Sequence, residues 1–85
     1  MTFTYRPRGV CSRLMELEAE EGKIRRVRII GGCDGNSQGV ARLVEGMDVQ
    51  EAIRRLEGIR CGGKPTSCPD QLAQALRQML QAHEE

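Results

Sequence analysis

Ser12-Arg13-Leu14-Met15-Glu16-Leu17-Glu18-Ala19, then Glu20-Glu21-Gly22-Lys23, then Ile24-Arg25-Arg26-Val27-Arg28-Ile29-Ile30 is the stretch that decides the fold. In its first run Met15, Leu17 and Ala19 share one phase, with Leu14 one place out of step. A period of two suits a strand with one buried face, because successive side chains point to opposite sides. The second run repeats the pattern, with Val27 and Ile29 on one side and Arg26 and Arg28 on the other. The glycine-containing link between them reads as a turn, and the whole as a β-hairpin. Phe3 to Tyr5 offer a third strand. Arg6-Pro7-Arg8-Gly9 resists helix because of its proline, so residues 1–9 form an extended arm or a first strand.

Beyond the hairpin the period changes from two to that of a helix. Gly31-Gly32-Cys33-Asp34-Gly35-Asn36 reads as a tight loop. Asn36 or Ser37 can cap a helix there, with Val40, Leu43, Val44 and Met47 inward and Gly46 closing it. Asp48-Val49-Gln50-Glu51 has the form of a capping box and opens a short helix carrying Ala52, Ile53 and Leu56, stopped by Gly58. Ile59 to Pro65 reads as a loop. Ser67-Cys68-Pro69-Asp70 then starts the last helix, with a capping side chain, a proline in the first turn and an early acid. Leu72, Ala73, Leu76, Met79 and Leu80 mark its apolar face, and residues 81–85 are expected to fray. Strands first and helices after predict an α+β domain: an N-terminal antiparallel sheet of two or three strands, followed by three helices packed on one face.

The 85 residues suit a single domain spanning 1–85. Thirteen Lys and Arg against twelve Asp and Glu leave a formal charge of +1, which argues against a dedicated nucleic-acid binder. Arg25, Arg26 and Arg28 read instead as a solvated strand face that discourages edge pairing. No run approaches the about 18 apolar residues of a membrane span. The first residues lack the apolar core of a secretory signal, so a cytoplasmic location, with reduced thiols, is the expectation. Phe3 and Tyr5 are the only aromatic residues, against four cysteines. So thin an aliphatic core suggests that cysteine chemistry helps to define the protein.

All four cysteines fall in loops or at element ends. Cys11 precedes the first long strand, Cys33 follows the second, Cys61 lies in the loop before the last helix and Cys68 begins that helix. The start of one hairpin strand lies beside the end of its partner, so Cys11 and Cys33 are expected to be close. Thiols used merely as small hydrophobes belong mid-strand or mid-helix. With no Cys-x-x-Cys the zinc ribbon is not indicated, yet four cysteines from separate loops suit tetrahedral zinc or an iron–sulfur cluster. Three readings follow. In the first, Cys11, Cys33, Cys61 and Cys68 are metal ligands. In the second, Cys61 and Cys68 form a redox dithiol, Cys68 being favoured as a thiolate by its helix N-terminus. In the third and weakest, Gly32, Gly35, Asn36 and Ser37 hold a phosphate where a strand feeds glycines into a helix start. No residue is assigned a catalytic role, and His83 reads as a bystander in the tail.

Thr66-Ser67-Cys68-Pro69-Asp70, with Gly-Gly-Cys-Asp-Gly-Asn at 31–36, Gly-Met-Asp-Val-Gln-Glu-Ala-Ile at 46–53 and Cys-Gly-Gly-Lys-Pro at 61–65, resembles the TSCPD domain family from about Tyr5 to Leu80. That resemblance implies a small bacterial protein related to the C-terminal domain of adenosylcobalamin-dependent ribonucleotide reductases, and hence a reductase as partner. Members are sometimes labelled reductases, but a chain this short has no room for a reductase barrel. The places of Cys11, Cys33 and Cys68 are also similar to those of the ligands in NifU-like iron–sulfur scaffolds, which implies a cluster-assembly partner. Those scaffolds carry Asp two residues after the first cysteine and His just before the third, where this chain has Arg13 and Ser67. Cys61 would then complete a closed four-cysteine site, the form that structural metal sites take. The expected function is therefore a cysteine-ligated metal-binding module with a scaffold or accessory role, the redox dithiol being the alternative.

Overall fold

The computed structural model describes residues 1–9, 12–31, 34–60, 62–63 and 65–82, with backbone alone for 12 and 34–37. Three strands, β1 (Thr2–Tyr5), β2 (Ser12–Glu20) and β3 (Lys23–Gly31), precede three helices, α1 (Asp34–Val44), α2 (Val49–Leu56) and α3 (Cys68–Ala82). The sheet order is β1-β2-β3 and both pairings are antiparallel. This is the α+β layout that the periodicity predicts, with the third strand present.

The hairpin turns at Glu21 and Gly22, both at positive φ (55° and 78°), the backbone of a two-residue turn whose twist matches its strands. Two bulges then set which side chains face inward. Glu18 pairs with Arg26 but Ala19 with Ile24, so Arg25 is an extra residue on β3. Counted back from Val27 by strict alternation, Ile24 would lie on the arginine face. The bulge restores its phase, and Ile24 is fully buried while Arg25 and Arg26 both stay exposed. Ser12 pairs with Gly31 but Leu14 with Ile30, which makes Arg13 the extra residue at the other end.

Met15, Leu17 and Ala19 of β2 and Ile24 and Val27 of β3 face the helices. Leu72, Leu76 and Met79 of α3, all fully buried, cover β1 and β2 and pack against Val49, Ala52 and Ile53 of α2. Each such Leu or Ile contributes about 1.5–3 kcal/mol by leaving water. Phe3 and Tyr5 are half-buried at the rim, so the fully buried core is aliphatic. The outer face of the sheet is solvated and charged, with Arg28 against Glu16 at 3.7 Å and Arg25 against Glu20 at 3.8 Å.

Helix α1 packs along β3 and departs from the expectation in two ways. It starts at Asp34, so Gly35, Asn36 and Ser37 belong to its first turn and not to a loop. Leu43, expected inward, is 78 % exposed, while Ala41 and Val44 are buried and Val40 is half-buried. The helix packs chiefly on the edge strand, and a narrow stripe suffices there, leaving the i+3 position from Val40 outside it. The connection after α1 protects the β3 edge: Ile24 N–H donates to Met47 O at 2.8 Å and Gly46 N–H to Ile24 O at 2.7 Å. Further along, Val27 N–H reaches a Glu45 carboxylate oxygen at 3.4 Å. Covering a sheet edge in this way removes a template for aggregation.

The capping box at α2 forms by half. Asp48 accepts from Glu51 N–H at 3.2 Å, but the Glu51 carboxylate turns to Arg54 and to Arg55, the latter at 3.0 Å. Hydrogen bonds from Arg54 and Arg55 hold its carboxyl below the usual range. Gly46 and Gly58 follow α1 and α2 at positive φ, as the sequence predicts for helix stops. Among the described residues no helix is long and apolar enough to cross a membrane.

Candidate functional site

The first turn of α3 is where distant parts of the chain converge. Ser67 is its N-cap. The hydroxyl accepts from Asp70 N–H at 3.2 Å and donates to Ile59 O at 2.6 Å, and the Ser67 carbonyl accepts from Gln71 N–H at 2.8 Å. One side chain thus satisfies an orphan helix donor and fastens the preceding loop. The expected cap is confirmed, and the hydroxyl rather than the thiol provides it.

Asp70, expected as an acid complementing the helix dipole, has a larger task. It is only 7 % exposed and serves three donors. Gly58 N–H reaches Oδ1 at 2.7 Å, Gln74 Nε2 reaches Oδ2 at 3.1 Å, and the Thr66 hydroxyl donates to the same Oδ2. Burial pushes this carboxyl up, but the hydrogen bonds from Thr66, Gly58 and Gln74 outweigh it and hold the group below its ordinary value. Gln71, also buried, extends the network: its amide donates to Thr66 Oγ1 at 3.0 Å. Its carbonyl accepts from Tyr5 OH at 3.1 Å and from Arg8 N–H at 2.8 Å.

Three of the five residues in Thr66-Ser67-Cys68-Pro69-Asp70 are therefore spent on architecture. They tie the loop after α2 to the helix end, and Gln71 ties Tyr5 and the segment after β1 to it. Sequence reading missed Gln71 and Tyr5, whose partnership spans 66 residues and carries no local signal. Cys68 occupies the first position of α3 and is half-buried.

Gly9 and Ile59, described neighbours of Cys11 and Cys61, lie at this same end. Gly9 takes φ +73°, and a Cβ there would lie 3.1 Å from Thr66 Cγ2. Gly9→Ala is accordingly expected to destabilise by about 1–2 kcal/mol through left-handed strain and contact with Thr66, read as a lower urea midpoint with an unchanged slope. Ser12, adjacent to Cys11, pairs with Gly31, two residues before Cys33. Cys11, Cys33 and Cys61 themselves lie outside the described residues, as do Gly32 and His83. Of the phosphate candidates, Gly35, Asn36 and Ser37 have helical backbone, and their side chains lie outside the description too. Among the described residues no three His, Cys, Asp or Glu groups assemble as a metal site would require.

A three-stranded antiparallel sheet with helices on one face, and a last helix opened by a buried hydroxyl–carboxylate turn, defines a class of small α+β domain. The model of the TSCPD domain family matches residues 3–80, and the chain belongs to that family. No curated protein and no solved structure matches the chain.

Proposed function

We propose that this TSCPD domain is a metal-binding module in which Cys11, Cys33, Cys61 and Cys68 hold one zinc ion or an iron–sulfur cluster. The observation that carries this reading is the convergence at the start of α3. Gly9, two residues before Cys11, lies against Thr66, and Ile59, two before Cys61, is hydrogen-bonded to Ser67 beside Cys68, while the Ser12–Gly31 pairing supports bringing the Cys33 segment next to that of Cys11. Thiolates from four separate segments suit a closed tetrahedral site, and metal binding would add folding energy to an aliphatic core without buried aromatics. The role is accessory or scaffold-like, serving a ribonucleotide reductase or a cluster-assembly protein, and the chain is not an enzyme by itself.

Elemental analysis of anaerobically purified protein tests the reading. The expected result is about one zinc per chain, or a brown protein containing iron and sulfide, with Cys68→Ser lowering the metal content by at least about half. Less than about half an equivalent of any transition metal in the native chain overturns it.

A redox dithiol of Cys61 and Cys68 is the second reading. The Ser67–Ile59 hydrogen bond supports it, because that bond closes the loop leading from Cys61 onto the helix start. Metal-free protein that forms an intramolecular Cys61–Cys68 disulfide under mild oxidation would favour this reading over the first.

A further inference from the structure

Arginines flank the first turn of α3 and the segment that leads from it into β2. Arg6 and Arg8 flank the segment that Tyr5 OH and Arg8 N–H fasten to Gln71. Arg13 is the extra residue of the second bulge, its Nε 3.2 Å from where a Gly31 Cβ would sit. Arg60 follows Ile59, whose carbonyl is held by Ser67. All four side chains are exposed, and no carboxylate among the described side chains lies within salt-bridge distance of any of them. Of the seven arginines elsewhere, five (Arg25, Arg28, Arg54, Arg55 and Arg77) have an acidic partner, and Arg26 and Arg42 have none among the described side chains. The acid at this end, Asp70, is buried and engaged by Gly58, Thr66 and Gln74.

The near-neutral composition therefore hides a polar molecule. With a formal net charge of +1 and four positive charges here, the rest of the sequence nets −3. The opposite end, around the β2–β3 turn, exposes five carboxylates, Glu18, Glu20, Glu21, Glu45 and Asp48, against three cations, Lys23, Arg25 and Arg26.

We propose that Arg6, Arg8, Arg13 and Arg60 form a docking surface for an acidic, extended segment of a partner protein. A guanidinium presents a planar fork that matches a carboxylate bidentately, and eleven of the thirteen basic residues of the chain are arginine. A nucleic acid fits less well. Its charge continues along its length, so beyond this patch it would meet the acidic remainder of a molecule 35 Å long. The two aromatic rings, Phe3 and Tyr5, are half-buried and offer no platform for stacking bases. Contacts of this kind speed association and select the partner more than they set affinity. The surface stands whether or not the cysteines bind metal, since it rests on the arginines and their anchors alone.

Fluorescence anisotropy with a labelled oligoglutamate of about 12 residues, beside an oligothymidylate of equal charge, tests the proposal. Oligoglutamate is expected to bind more tightly than the oligothymidylate and to weaken at least about tenfold between about 20 and about 200 mM salt. The Arg6→Gln, Arg8→Gln, Arg13→Gln, Arg60→Gln variant should lose at least about tenfold, whereas Arg25→Gln with Arg26→Gln at the opposite end stays within about twofold. In the unmutated protein, peptide-induced amide shifts should centre on residues 5–13 and 58–71, a readout that needs no variant to fold. Equal binding by the fourfold variant, preference for the oligothymidylate, a salt-insensitive or undetectable complex, or shifts centred on the β2–β3 turn overturns it. Repeating the titration with Cys68→Ser separates this surface from the metal reading: binding is expected to persist.

Discussion

Ile24→Asp is expected to leave no folded population at neutral pH, a loss of more than about 4 kcal/mol. Ile24 is fully buried in the core cluster only because Arg25 is an extra residue on β3. A carboxylate at that position is removed from water with no cation to meet it, and it is too short to reach the surface. A regular strand makes the opposite prediction, since alternation would place residue 24 beside the exposed Arg26 and Arg28. There an aspartate would change stability by about 0.5 kcal/mol or less, the scale expected for Arg26→Gln. Circular dichroism and urea titration of Ile24→Asp beside Arg26→Gln separate the two cases. Near-equal midpoints would rule out the bulge.

Asp70→Ala is the second large effect, at about 3 kcal/mol. The substitution strands the Gly58 N–H and the Thr66 hydroxyl in a buried site and loosens the loop that Gly58 anchors. For a domain with roughly 0.05–0.15 kcal/mol of stability per residue, that is a large fraction of the total. The same group gives the protein an acid-dependent stability. The folded carboxyl titrates below the unfolded value of about 3.9, so its contribution is fully present above that pH. It is lost as the pH falls through the folded value. The urea midpoint of the native chain should therefore drop as the pH goes below about 4. Asp70→Asn should flatten that part of the curve, and an unchanged slope in the variant would assign the acid sensitivity elsewhere. Glu51 is also held below its usual range, but its partners Arg54 and Arg55 are exposed and Glu51→Gln should alter the profile little.

How far each feature was legible follows the range of its cause. Met15, Leu17 and Ala19 announce a one-faced strand, and Leu72, Ala73, Leu76 and Met79 a one-faced helix, because each pattern is written in consecutive residues. Turn and cap residues are equally local: Glu21-Gly22 as a turn, and Asp48 and Ser67 as caps, act within four positions. Leu43 shows where local reading fails. Its spacing is helical, but its exposure is decided by how little of the helix the sheet edge covers. The site divides in the same way. That cysteines sit at element ends can be read from the elements themselves, and Ser12 pairs with Gly31, though Cys11 and Cys33, expected to be close, lie outside the described residues. The Tyr5–Gln71 and Thr66–Asp70–Gly58 contacts depend on which segments the fold brings to one helix end.

By itself, the sequence determined the order of strands and helices, their caps and most of the inward faces, since apolar periodicity and capping chemistry act over a few residues. Only the tertiary structure decided that Ile24 is core, that Asp70 is a buried hub, and that four arginines flank the start of α3 and the segment that leads from it into β2. A bulge shifts the phase of a whole strand, and a buried carboxylate recruits donors wherever the packed chain supplies them. Neither effect leaves a periodic trace in the residues on either side.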